Sequence, residues 1–145
     1  MGEKVFTEKS TELLKSELKH ADTLQAFIDE NADNMREKSV SDYLMEMLIK
    51  YNTEKNEVLA RADITGTYVY QIFDGRRSAG REKLIQLAFG FPLNLEETQR
   101  LLKYGGYSEL YVKNKREAYI MFALEKGYDI HKLNEFLFDC GEKTF

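Results

Sequence analysis

Leu14, Leu18, Ala21, Leu24 and Ile28 recur at steps of three or four residues, while Glu12, Lys15, Glu17 and Lys19 fall off that stripe. This spacing lines one face of a helix and predicts an amphipathic helix of about 20 residues. Asn31-Ala32-Asp33-Asn34 should end it, because short amide and carboxylate side chains compete for backbone hydrogen bonds. Val40, Leu44, Met47, Leu48 and Tyr51 mark a second helix, with Ser39 or Ser41 as its cap. A shorter pattern, Val58, Leu59 and Ala62, leads into Asp63-Ile64-Thr65-Gly66. From Thr65 the spacing predicts a helix of about two turns with Val69, Ile72 and Phe73 inside, closed at Asp74-Gly75 where a left-handed glycine is cheap.

The second half uses the same grammar. Leu84, Ile85, Leu87 and Ala88 predict another apolar helix, and Asn94 with Glu97 has the spacing of a capping box. Gly105-Gly106 should close the helix that this box begins. Asn114 and Glu117 repeat the cap spacing before Ala118, Ile120, Met121 and Leu124, with a stop at Gly127. Asp129 is the expected cap of a final helix carrying Leu133, Phe136 and Leu137. The chain reads as all-α, which its single proline and its abundance of Leu, Glu, Lys and Ala favour.

At 145 residues and 43% hydrophobic, the chain can build one compact core with helical extensions. Its longest apolar stretches, such as Tyr119 to Leu124, are far shorter than the roughly 20 residues a bilayer span needs, so no membrane partner is expected. No signal-peptide pattern opens the chain, Phe6 stands where a myristoylation signal wants Ser or Thr, and Cys140 is the single cysteine; the expected location is cytoplasmic. The net charge of −4 argues against a protein that coats nucleic acid indiscriminately. The charge is uneven, however. Residues 1–38 carry 6 basic and 9 acidic side chains, residues 39–103 carry 9 and 9, and residues 55–83 carry 6 and 4.

Two short helices joined by a tight turn, the second ending in glycine and flanked by apolar helices, have the form of a DNA-reading helix-turn-helix. Here the bracing helix runs from about Lys55 to Ala62, and the reader begins with Thr65 as its cap. Thr67, Tyr68 and Gln71 are the candidate base-reading residues: the Gln71 amide matches adenine N6 and N7, and Thr67 offers a hydroxyl or a methyl. Candidate contacts to the DNA backbone are Lys55, Thr65, Gly66, Tyr70, Arg76, Arg77 and Arg81. Gly66 has no side chain to read with and instead allows a close approach of backbone to phosphate.

Val58-Leu59, Ala62-Asp63-Ile64-Thr65 and Tyr68 through Gly75 resemble the lambda-repressor-like, or xenobiotic-response-element, helix-turn-helix family, over about residues 40–103. The resemblance implies a five-helix domain whose second and third helices form the reader, with Val58, Ile64, Val69 and Ile72 in the core. It also implies a homodimeric regulator acting on double-stranded DNA, with Thr65, Gly66, Thr67 and Gln71 facing that DNA. The sequence departs from the family pattern at Asp63, in place of a turn glycine, at Phe73, and at Ala79, where proline is common. The expected organisation is an N-terminal helical extension over 1–38, the helix-turn-helix domain over 39–105 and a C-terminal helical extension over 106–145 that packs or dimerises.

Two other readings compete. A protein-interaction adaptor could keep the fold without binding DNA. Catalysis has little to stand on, since His20 and His131 lie in separate helices and no H-E-x-x-H, G-x-S-x-G or C-x-x-C occurs. No cofactor, metal or small-molecule ligand is implied. Leu13, Leu14, Leu18, Phe27 and Ile28 at one end, and Phe136, Leu137 and Phe138 at the other, exceed what a solvated surface needs and must pack on the core or pair two chains.

Overall fold

The computed structural model describes residues 9–35 and 38–145, which form two compact units divided between residues 37 and 38. All regular elements among the described residues are helical. The first unit contains α1 (Thr11–His20), α2 (Leu24–Glu30) and α3 (Ala32–Met35). The single long helix expected here is therefore broken. Ala21 is extended, and Thr23 accepts a hydrogen bond from the Ala26 amide to start α2 afresh, a local cap that outcompetes continuation of the apolar stripe. Of the apolar residues in this unit, Phe27 is buried, whereas Leu13, Leu18, Leu24 and Ile28 stay exposed.

The second unit contains α4 (Val40–Lys50), α5 (Lys55–Arg61), α6 (Tyr68–Phe73), α7 (Arg81–Gly90), α8 (Leu95–Tyr104), α9 (Lys115–Lys126) and α10 (Ile130–Asp139). Most starts follow the expected caps. Ser39 and Asp42 form one capping box, Asn94 and Glu97 another, and Asn114 and Asp129 each accept from the first turn they precede. Gly127 ends α9 in the left-handed conformation, as its position after the last apolar residue requires.

Helix α4 packs on α6 and α8, α5 on α7, and α7 on α8. Leu44, Val58, Val69, Phe73, Leu84 and Leu101 are all fully buried in the shared core. Residues 106–145 do not stand apart from this core: α9 packs on α8, α10 packs on α7 and α9, and Ile120, Leu133 and Leu137 join the same cluster. The C-terminal segment is thus part of one unit with the helices before it. Phe136 and Phe138 remain on its outer surface.

Two features hold the frame tightly. A Cβ on Gly90 would fall 2.3 Å from the Val58 carbonyl oxygen, so only glycine allows α5 to lie this close to α7. At the junction of α4 and α8, the buried Glu97 closes its capping box while receiving hydrogen bonds from the Lys50 ammonium and the Tyr51 hydroxyl. Burial alone would raise the Glu97 pKa, but those donors outweigh it and hold the carboxyl below its ordinary value of 4.5. The same burial, together with the bond to Glu97, pushes Tyr51 up to about 12.

Candidate nucleic-acid interface

The segment between α5 and α6 is a turn built by backbone geometry. Asp63 is left-handed at φ +56° and Gly66 lies at φ +107°. Asp tolerates the first better than most residues do, which explains how it replaces a turn glycine; the second lies where an L side chain is strained. Ile64 between them is buried and pins the turn to the core. From α7, the Gln86 side-chain amide donates to the Ala62 carbonyl at 2.9 Å and more weakly to that of Asp63 at 3.4 Å. The glycine at 66 thus serves the bend itself.

Helix α6 begins at Tyr68, two residues later than the sequence pattern indicates, with Thr67 rather than Thr65 at the cap position and no side-chain cap bond. The two strongly turned residues before it consume the chain that would otherwise form its first turn. Tertiary contacts hold this six-residue helix in place. Val69, Ile72 and Phe73 are buried, and Ser41 on α4 donates its hydroxyl to the Phe73 carbonyl at 2.5 Å. Gly75, left-handed at φ +78°, then turns the chain, and the amides of Arg76 and Arg77 both donate to the Gln71 carbonyl. A Cβ at Gly75 would press on Ser41 at 3.3 Å, so the helix end and α4 fit closely.

Thr67, Tyr70, Gln71 and Asp74 are exposed and spaced at three, four and seven residues, so they form one continuous stripe. Tyr68, expected to read bases, is half-buried against the core, with the Arg77 guanidinium 5.3 Å from its ring centroid. Tyr70, expected at the DNA backbone, lies instead on the stripe with Gln71. Among the described residues, the Gln71 side-chain amide has no hydrogen-bond partner. Thr65 and Gly66 are exposed in the turn.

The four candidate cations fall into three environments. Lys55, at the start of α5, and Arg76 both bind Asp74, at 3.0 Å to Oδ1 and 2.8 Å to Oδ2 respectively. The Arg76 bond, then the Lys55 bond, hold the Asp74 carboxyl below its usual range. Arg77 lies over Tyr68 and is exposed. Arg81 is spent inside the protein: it forms a two-pronged pair with Glu117 at 2.7 and 3.0 Å and donates to the carbonyls of Ser108 and Glu109 at 3.0 Å each. Its work is to tie the 106–114 connection and α9 to α7. Sequence distance hid this, because Glu117 lies 36 residues away.

No protein-family model, curated protein or solved structure matches this chain. Among the described residues no cluster of His, Cys, Asp and Glu has the makings of a metal site, and no helix is long and apolar enough to cross a membrane.

Proposed function

We propose that the second unit is a sequence-specific double-stranded DNA-binding domain that reads the major groove with α6. The observation that carries this reading is the exposed stripe Thr67, Tyr70 and Gln71 on a short helix whose other face is locked into the core, set across a tight turn from the bracing helix α5. Such a helix offers polar side chains to base edges while its position is fixed by the fold. The run of five helices α4 to α8 supports this reading, in which α5 and α6 would be the second and third helices of a lambda-repressor-like domain. Lys55, Arg76 and Arg77 flank the reader and supply phosphate contacts, whereas Arg81 does not. Tyr70 replaces Tyr68 as the aromatic side chain at the groove. A regulator of transcription in the cytoplasm, acting as a homodimer through its exposed apolar ends, is the biological setting that this reading implies.

A rival reading is a protein-interaction module of the same shape, and the internal pairing of Lys55 and Arg76 with Asp74 favours it. Selection from a random duplex pool at low salt separates the two. A DNA reader retains an enriched sequence, and its affinity falls steeply as salt rises, with Arg77→Ala lowering the slope of log K against log salt by about one. An interaction module retains no duplex.

A further inference from the structure

Asp74 is the last residue of the reader's outer stripe, one helical turn beyond Tyr70 and Gln71. A carboxylate there faces the same way as the residues that would meet base edges, and it repels a phosphate backbone. It also occupies the two cations best placed to neutralise that backbone: Lys55 reaches it from α5 and Arg76 from the segment after Gly75. Arg76 is largely exposed and Lys55 and Asp74 about one-third exposed, so these are pairs that solvent and a competing anion can enter.

We infer that Asp74 is a specificity-determining residue of this surface, holding Lys55 and Arg76 so that attraction to phosphate alone does not secure a duplex. The inference rests on the DNA-binding reading above and names how that site discriminates. Non-specific affinity is almost wholly the release of counterions by Lys and Arg. A carboxylate between two of those cations must surrender them or stay beside the phosphates when a duplex binds. On a mixed duplex nothing seats the helix and that cost is met in full, whereas on a duplex that satisfies Gln71, Thr67 and Tyr70 the seated helix brings Lys55 and Arg76 onto phosphates and the exchange costs less. Discrimination thus comes from lowering the floor of non-specific binding, a repulsive element that complements the attractive one.

The test measures binding of the full chain to a mixed-sequence 20-base-pair duplex, and to the best duplex from a random-pool selection, across about 50 to 200 mM salt. Asp74→Asn keeps the shape and releases both cations. Asp63→Asn removes one negative charge from the turn before the reader and serves as the control for net charge. The expected result is that Asp74→Asn tightens the mixed duplex by about three- to tenfold, steepens its salt slope by about one, and narrows the gap between selected and mixed duplexes. Asp63→Asn should give less than half of each change. Adding Lys55→Ala and Arg76→Ala to Asp74→Asn should return the slope to its original value or below. Equal effects of Asp74→Asn and Asp63→Asn would overturn the inference in favour of simple charge, as would unchanged or weaker binding by Asp74→Asn. If wild type binds and only the Asp74 effect is missing, the inference alone falls. If neither wild type nor Asp74→Asn retains any duplex at the lowest salt, the DNA-binding reading falls and takes the inference with it.

Discussion

Glu97 and Asp74 are two carboxylates in the same unit, each gripped by two side-chain donors, and they do opposite work. Glu97 is 3% exposed at the junction of α4 and α8, held by Lys50 and Tyr51 and closing its own helix cap. Asp74 is about one-third exposed at the end of α6 and holds Lys55 and Arg76. Around Glu97 the alternative to its partners is an apolar core, so losing any of them strands a buried charge. Around Asp74 the alternative is water or another anion, so the same arrangement can be exchanged at small cost. Burial decides whether a carboxylate and its cations act as structure or as a replaceable contact. Arg81 and Glu117 resemble the first case: they are a mostly buried, two-pronged pair, and they fix α9 on α7.

The contrast can be broken most decisively at Glu97. Glu97→Ala removes the carboxylate half of the capping box and leaves the Tyr51 hydroxyl without its acceptor, and should lower unfolding free energy by about 3 kcal/mol in urea titrations. A loss no larger than that of an ordinary surface substitution would put Glu97 in the same class as Asp74. Next in size is Gly90→Ala, where the new methyl meets the Val58 carbonyl; a loss of about 2 kcal/mol is expected from the forced separation of α5 and α7.

Acid should act through the buried carboxylates. Both Glu97 and Glu117 have folded-state pKa values held below the ordinary 4.5, Glu97 by donors that outweigh its burial and Glu117 first by the Arg81 hydrogen bonds. A depressed folded pKa contributes stability that is fully present above pH 4.5 and is lost as the pH falls through the folded value. Thermal melts from pH 7 down to 3 should therefore stay level to about pH 5 and then decline, and Glu97→Gln should flatten that decline. The smallest effect belongs to Asp74→Asn, for which no change in melting temperature is expected at pH 7 while DNA affinity changes; a lower melting temperature would mean that the exposed pair is structural after all.

Much of the frame was legible in the sequence, because it rests on local rules. Asn94 with Glu97, Asn114, Asp129 and Gly127 mark helix ends through bonds within four residues, and Val58, Val69 and Ile72 fall inside because helical spacing puts them there. The break after α1 was less legible, since Thr23 lies within a stripe whose apolar period runs on past it. The start of α6 was misplaced by two residues because two positive-φ residues in the turn, Asp63 and Gly66, take up chain in a way that apolar spacing does not record. Tyr68, four residues before the buried Ile72, packs inward, and Tyr70 faces outward. What escaped entirely was long-range: the Arg81 pair with Glu117, the approach of α5 at Gly90, and the capture of Lys55 by Asp74 across 19 residues. Among these, a glycine inside the apolar run of α7 was the one visible signal.

Amide chemical shifts of the labelled chain, followed while a selected duplex is added, test the proposed role of α6 most directly. Shifts concentrated on Gly66 to Arg77 and at Lys55, with Thr67, Tyr70, Gln71 and Asp74 among the largest and α9 and α10 little changed, are the predicted result. Shifts confined to α9 and α10, or none under conditions where the chain is folded, would contradict it.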